Sequence, residues 1–118
     1  ILRGSNTGPN YQLADIEKIK AKVQGDLPAL VIDCSHGNSN KNPLLQQDVL
    51  RTIVNERHLS HVRGVMLESH LVDGAQKISY DMAYGQSVTD GCLGWDKTYQ
   101  LLLDVAEKLN KCPLQRSA

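Results

Sequence analysis

The sequence predicts an α/β protein, and the pattern of its elements favours the closing portion of a larger (β/α) fold. Strand-like and helix-like segments alternate in the order loop, helix, strand, helix, strand, long loop, helix. The first strand-like segment is a continuous apolar run, and the second is apolar apart from Arg63 and Gly64. Such segments are typical of parallel strands that are buried on two faces. Two strands do not make a stable parallel sheet alone, so we expect further strands to complete it.

The first predicted helix follows a loop. Residues 3–10 are rich in Gly, Ser, Asn and Pro, which indicates irregular structure. Asn10 is a candidate N-cap for a helix over residues 11–24, and Gly25 is a suitable C-terminal stop. This spacing predicts a helix that packs one face against a core. The residues of that face are Leu13, Ile16, Lys20 and Val23.

Two strands are predicted, and polar residues follow each of them. The first covers residues 29–32 and leads into a polar loop at 33–40. The second covers residues 62–67 and ends at Glu68. In (β/α) barrels the functional groups lie at the carboxyl ends of the strands, so these two polar segments are candidate site regions.

Two further helices and a long loop complete the pattern. Pro43 suits the first turn of a helix that runs to about residue 56, with an apolar stripe formed by Leu45, Val49, Leu50, Ile53 and Val54. Residues 69–89 form a polar stretch whose length is typical of functional or mobile loops. The last helix is predicted over 96–111, with an inward face formed by Tyr99, Leu102, Leu103, Ala106 and Leu109.

The composition argues against several functional classes. The 118 residues carry 13 basic and 13 acidic side chains, so there is no basic footprint for nucleic acid. No apolar run approaches the roughly 20 residues of a membrane span, and no signal peptide is visible. The three cysteines, Cys34, Cys92 and Cys112, are odd in number and lack a C-x-x-C spacing. We therefore expect a reduced, cytoplasmic protein in which Cys34 and Cys92 are core residues.

Four polar residues stand where a site is expected. Arg3 follows an apolar start that reads like the tip of a strand, and His36 follows the first predicted strand. Glu68 ends the second strand, and Asp90 ends the long loop. Neighbouring parallel strands bring such residues to one rim. One His and two carboxylates suit a divalent transition metal, because they combine a borderline nitrogen with hard oxygens.

Each of the four residues also has a purely structural interpretation. Arg3 is compatible with a surface charge, His36 with a hydrogen-bonded turn residue, and Glu68 with a solvated strand end. Asp90 is compatible with a cap of the last helix, since Asp is a favoured N-cap residue. The residues alone leave both interpretations open.

Six sequence blocks in one order resemble a known family. Together they closely resemble the C-terminal third of class I 3-deoxy-D-arabino-heptulosonate 7-phosphate (DAHP) synthases. Any one block is weakly specific, whereas the ordered set is very specific. The blocks are residues 3–4 (RG), 10–11 (NY), 33–41 (DCSHGNSNK), 64–70 (GVMLESH), 84–90 (YGQSVTD) and 92–95 (CLGW).

The resemblance implies a fold and a domain organisation. Residues 1–118 would be the C-terminal portion of a TIM (β/α)8 barrel, from the end of strand 6 through helix 8. Residues 1–2 would end the sixth barrel strand, 29–33 would be the seventh and 62–68 the eighth. The start at Ile1 rather than Met is accordingly expected to be a cut. The complete enzyme is expected to be a homo-oligomer.

The resemblance also implies a reaction, the first step of the shikimate pathway. The family condenses phosphoenolpyruvate with erythrose 4-phosphate and water, giving DAHP and phosphate. It uses a divalent metal (Mn, Fe, Co or Zn) held by a Cys, a His, a Glu and an Asp. His36, Glu68 and Asp90 match the last three and are the expected metal and catalytic residues. Arg3 matches an arginine that contacts the phosphoenolpyruvate phosphate, for which a guanidinium fork is well suited.

The chain departs from the family pattern in several places. The family's Cys ligand and the other Lys and Arg residues of its phosphate sites lie upstream and have no counterpart in these 118 residues. Ser5 stands where many members have a second Gly, and Cys34 where many have Phe. The chain alone is therefore expected to be inactive. The alternative function is a non-catalytic fragment or truncated paralogue that only binds, or assembles with, a complementary barrel portion.

Overall fold

The computed structural model describes residues 1–26, 29–56 and 61–111. Within them the chain forms three α-helices and two strands in the predicted alternating order, which confirms the α/β class. Cys112 lies outside the described residues. The elements are α1 (Leu13–Lys22), β1 (Leu30–Asp33), α2 (Gln46–Asn55), β2 (Val62–Met66) and α3 (Trp95–Lys111), with short 3-10 helices at His36–Ser39 and Pro43–Leu45.

The strands form a small parallel sheet whose carboxyl ends share one edge. β1 pairs with β2 from Leu30↔Val62 to Asp33↔Met66. On the other side of β1, Leu2 makes a parallel bridge to Ile32, with its N–H donating to the Val31 carbonyl at 2.9 Å. The segments that follow Leu2, β1 and β2 therefore leave the sheet at the same edge, as the sequence predicts.

The core lies between this sheet and the helices. α2 buries four of the five residues predicted for its apolar stripe, and α1 contributes Ile16. Leu45 instead lies in the 3-10 turn before α2 and stays partly exposed. None of the described helices is both long enough and apolar enough to cross a membrane. The fully buried large side chains include Ile16, Ile32, Val49, Ile53, Leu93 and Leu101.

The predicted inward face of α3 is largely wrong. Leu101 is the fully buried side chain of this helix, and Val105 and Leu109 pack against the core beside it. The predicted residues Tyr99, Leu102 and Leu103 are about half exposed. Because apolar residues occupy more than half of the circumference of α3, the periodicity did not determine which part of that surface meets the core.

The face predicted for α1 is only partly right. Ile16 is buried, but Leu13 is 44% exposed and Val23 lies beyond the end of the helix.

Two further predictions differ from the structure. Asn10 does not cap α1, because the helix begins after Gln12. The side-chain oxygen of Asn10 instead accepts the Gly4 N–H at 2.7 Å and closes the loop before the helix. β2 is not buried on two faces, since Val65 and Met66 are 38% and 36% exposed. The difference follows from the place of each strand in the sheet. Within the described residues β1 lies between β2 and the Leu2 bridge, whereas β2 pairs with β1 alone.

Candidate functional site

His36, Glu68 and Asp90 converge at the carboxyl edge of the sheet. One ligand atom from each side chain lies within 4.8 Å of the others. His36 Nε2 is 3.4 Å from Asp90 Oδ2 and 3.7 Å from Glu68 Oε1. His36 opens the turn after β1, Glu68 lies two residues beyond β2, and Asp90 closes the long loop before α3. The geometry therefore brings together three residues that are 32 and 22 positions apart in the sequence.

A buried carboxylate orients the His36 ring. Asp33, the last residue of β1, is 4% exposed, and its Oδ2 lies 2.7 Å from His36 Nδ1. Its Oδ1 accepts the Ser35 N–H at 2.8 Å, so both carboxylate oxygens are engaged. Because a carboxylate accepts hydrogen bonds, Nδ1 carries the proton in the neutral ring and the Nε2 lone pair faces the two acidic side chains. His36 is thus prepared to act as a ligand through Nε2.

The backbone around His36 is also constrained. His36 adopts a left-handed conformation with φ of 51°, which is uncommon for a residue other than glycine. Its carbonyl accepts the Lys41 N–H at 2.8 Å, which closes the turn. Backbone conformations of this kind persist where the surrounding hydrogen bonds hold them, and they are frequent at functional sites.

Glu68 is held through its main chain by a buried glutamine. Gln46, at the start of α2, has no solvent exposure. Its Oε1 accepts the Glu68 N–H at 2.7 Å, and its Nε2 donates to the Glu68 carbonyl at 3.1 Å. The same carbonyl accepts the Leu93 N–H at 3.0 Å. The Glu68 side chain itself is partly exposed and faces His36.

Asp90 stands on a loop that is tied back to the sheet edge. Backbone bridges join Ser69 to Leu93 and Gly74 to Cys92. These bridges give the predicted long loop a defined path on both sides of Asp90. The alternative role of Asp90 as a cap of the last helix is not what the structure shows. α3 begins at Trp95, and the Gly94 N–H donates to Asp73 Oδ1 at 2.5 Å.

Asp73 makes the connection between this loop and α3. Besides the Gly94 N–H, its carboxylate pairs with the Lys97 ammonium. The hydrogen bond from Lys97 and then the one from Gly94 lower the pKa of Asp73 below its usual value. The Asp73 carboxylate is therefore charged at neutral pH. In this form it accepts the hydrogen bonds from Gly94 and Lys97 at the start of α3.

Arg3 lies at the same sheet edge, directly after the Leu2 bridge. Its carbonyl accepts the Asn38 N–H at 3.2 Å, and its side chain is exposed. The following Gly4, at φ of 75°, packs so closely on the turn that a Cβ there would lie 2.5 Å from the Gly37 carbonyl carbon. Arg3 is therefore joined through its backbone to the loop that carries His36.

Asn38 connects three segments around the site. Its Nδ2 donates to the Leu2 carbonyl at 3.1 Å and to the Asp33 carbonyl at 2.9 Å, while its Oδ1 accepts the Asn10 N–H at 2.7 Å. Sequence reasoning did not single out Asn38, Asp33 or Gln46. For Asp33, a signal was available, because a polar residue ending a buried strand three positions before a candidate ligand is a suitable partner for it.

Cys34 and Cys92 are free and buried, as the sequence predicts. Burial, with a smaller contribution from the neighbouring Asp33 charge, raises the pKa of Cys34 to about 12. Burial also raises the pKa of Cys92. At neutral pH both thiols are protonated, which fits core residues rather than nucleophiles.

In the folded full-length protein that carries this segment, Cys34 is expected to resist alkylation. With a pKa of about 12, roughly one thiol in 10⁴ is ionised at pH 8, and the side chain is also out of reach of solvent. The measurement is iodoacetamide labelling followed by peptide mass spectrometry, with the urea-unfolded protein as the fully labelled control. Rapid labelling of Cys34 in the folded protein would contradict the assignment to the core.

Comparison with known proteins adds relatives for most of the chain. The model of the family described as "DAHP synthetase I family" matches residues 1–103. Phospho-2-dehydro-3-deoxyheptonate aldolase from Haemophilus influenzae is 41% identical over an alignment of 113 positions that covers 91% of this chain and 31% of that protein. The Tyr-sensitive enzyme of that name from Escherichia coli is 38% identical over an alignment of 117 positions that covers 93% of this chain and 33% of that protein.

A solved structure shows the same relationship. Phospho-2-dehydro-3-deoxyheptonate aldolase from Francisella tularensis superimposes with a TM-score of 0.78 at 36% identity, covering 92% of this chain and 33% of that one. The chain thus spans about a third of the length of the relatives it matches.

Proposed function

Since the chain belongs to the DAHP synthetase I family, we propose that it forms part of an enzyme that condenses phosphoenolpyruvate with erythrose 4-phosphate to give DAHP and phosphate. The reaction would be the first step of aromatic amino acid biosynthesis. The observation that carries the proposal is the meeting of His36, Glu68 and Asp90 at the sheet edge that also bears Arg3. In this proposal residues 1–118 are the C-terminal third of a TIM barrel.

The donor set fits a divalent metal. His36 presents Nε2 because Asp33 occupies Nδ1, and Glu68 and Asp90 each place an oxygen close to that nitrogen. One imidazole and two carboxylates are compatible with Mn, Fe, Co or Zn, with a cysteine from outside this chain as the family's fourth ligand. When bound, the metal would supply Lewis-acid polarisation of a carbonyl oxygen.

The remaining groups bind and shield the substrates. The Arg3 guanidinium, on a backbone fixed against the Gly37–Asn38 turn, would bind the phosphate of phosphoenolpyruvate. The loop between Glu68 and Asp90 would help to exclude bulk water while the carbon–carbon bond forms. Asp33 keeps the His36 ring in one orientation through the 2.7 Å contact.

The proposal is tested with the purified full-length protein that carries this segment. Phosphate release from phosphoenolpyruvate is expected to require erythrose 4-phosphate, to stop after treatment with a chelator and to return when Mn²⁺ is added. Turnover typical of enzymes, roughly 1 per second or more, is expected under saturating conditions. Phosphate release that does not need the aldehyde would indicate a phosphatase, and activity that persists without metal would contradict the metal site.

A further inference from the structure

The contacts of Gln46 separate it from the other residues of α2. It is a polar side chain without solvent exposure, and both atoms of its amide bind the main chain of a single residue, Glu68. Its Nε2 also lies 3.3 Å from the Pro43 carbonyl. A buried amide whose donor and acceptor are both satisfied is an energetically suitable core residue, whereas one that lost either partner would be costly.

The position of Glu68 explains why such a contact matters. The pairing of β2 with β1 ends at Met66, whose carbonyl accepts the Cys34 N–H at 2.9 Å. Glu68 lies two residues further on, where this strand pairing no longer fixes the backbone. The Gln46 side chain supplies a donor and an acceptor to Glu68, in the way that a peptide group of a neighbouring strand would.

The Glu68 carbonyl, which accepts the bond from Gln46 Nε2, also connects Glu68 to the segment after Asp90. Leu93, three residues beyond Asp90, donates its N–H to the Glu68 carbonyl at 3.0 Å, next to the bond from Gln46. The side chain of Gln46, the backbone of Glu68 and the backbone of Leu93 thus form one hydrogen-bonded row. This row fixes the backbone of Glu68, whose carboxylate faces His36.

We propose that Gln46 is a positioning residue that holds the Glu68 carboxylate in place for metal binding, an inference that rests on the proposed metal site. Gln46 acts through the main chain of Glu68 and touches none of the three ligand atoms. Partners of metal ligands typically change metal affinity by about 10- to 100-fold when they are replaced. The same range is expected here.

The test is metal affinity in the full-length protein. Metal-free wild type, Gln46→Met and Gln47→Met are titrated with Co²⁺, and the Kd and the visible absorption of bound Co²⁺ are measured. Methionine keeps the length of glutamine and removes its three hydrogen bonds, two to Glu68 and one to the Pro43 carbonyl. Gln47 is a matched control, since consecutive helical residues point in directions about 100° apart. Gln46→Met is expected to raise the Kd about 10- to 100-fold and to change the Co²⁺ spectrum, whereas Gln47→Met leaves both as in wild type.

Two results would contradict the proposed role of Gln46. A folded Gln46→Met protein with the Kd and spectrum of wild type shows that Gln46 only stabilises the fold and overturns the proposal. If Gln46→Met does not fold, Gln46→Glu, which keeps the acceptor for the Glu68 N–H, is titrated instead, and the same two results decide. Glu68→Ala separates a failure of the proposed metal site from a failure of the proposed role of Gln46. If Glu68→Ala leaves the Co²⁺ affinity unchanged, Glu68 is not a metal ligand, and both proposals are wrong. If Glu68→Ala weakens Co²⁺ binding and the Gln46 variants do not, the proposed metal site stands and the positioning role of Gln46 is wrong.

Discussion

In the full-length protein that carries this segment, replacing His36 with alanine is expected to abolish the proposed metal binding and to lower kcat/KM for the proposed reaction by roughly 10³-fold or more. His36 Nε2 is the atom to which both acidic side chains point, at 3.4 and 3.7 Å. Without it two carboxylates would face each other with no nitrogen between them. Glu68→Ala and Asp90→Ala are expected to act in the same direction, because each removes one donor of the same cluster.

The readout is metal content by elemental analysis, measured together with steady-state kinetics. Arg3→Ala is the matched control, since Arg3 belongs to the same sheet edge but not to the donor cluster. It is expected to keep the metal and to weaken the use of phosphoenolpyruvate. Should the His36→Ala protein retain full metal, the assignment of His36 as a ligand would be wrong.

The structure brings His36, Glu68 and Asp90 together, as the sequence and its family resemblance predict, and their role as metal ligands stays a prediction. Topology accounts for part of this convergence. The carboxyl ends of parallel strands lie at the same edge of the sheet. Residues that follow the strands therefore meet at that edge, even when they are far apart in the sequence. His36 and Glu68 follow that rule directly. Asp90 does not follow a strand, and its position depends on the bridges that tie residues 92–93 to the start and middle of the loop.

The residues that support the site were beyond the reach of sequence patterns. Gln46 reaches Glu68 across 22 positions, and Asn38 reaches Leu2 across 36. Hydropathy periodicity reports which face of a helix is apolar and carries no information on such side-chain to backbone bonds. Gln46 stands at the first position of α2 and would ordinarily be taken for a solvated helix start.

The errors in the fold have a common physical origin. α3 carries more apolar residues than the described core covers, and β2 lacks a second neighbour within the described residues. In the partial-barrel proposal this surface would meet further barrel elements as partners, so its pattern alone does not show which side meets the described core. The exposed residues of α3 and the open edge of β2 are where those partners would pack in a complete barrel.

The 118-residue chain by itself is therefore expected not to exist as a stable monomer. Apolar residues on one side of α3 stay about half exposed, and the apolar end of β2 has an open edge. Exposed apolar surfaces and unpaired strand edges drive association with other chains. The exposed side chains are Val65 and Met66 on β2, and Trp95, Tyr99, Leu102 and Leu103 on α3.

Size-exclusion chromatography with light scattering tests this expectation on the isolated chain. We expect aggregates or oligomers well above 13.0 kDa and no turnover with both substrates and Mn²⁺. Leu102→Glu, which places a charge on the exposed apolar side of α3, should reduce association. Gln100→Glu, on the opposite, polar side of the same helix, should not. A monodisperse 13.0 kDa species with a cooperative thermal transition would contradict the partial-barrel proposal, because it would require the open edge of β2 and the exposed side of α3 to be tolerated in water.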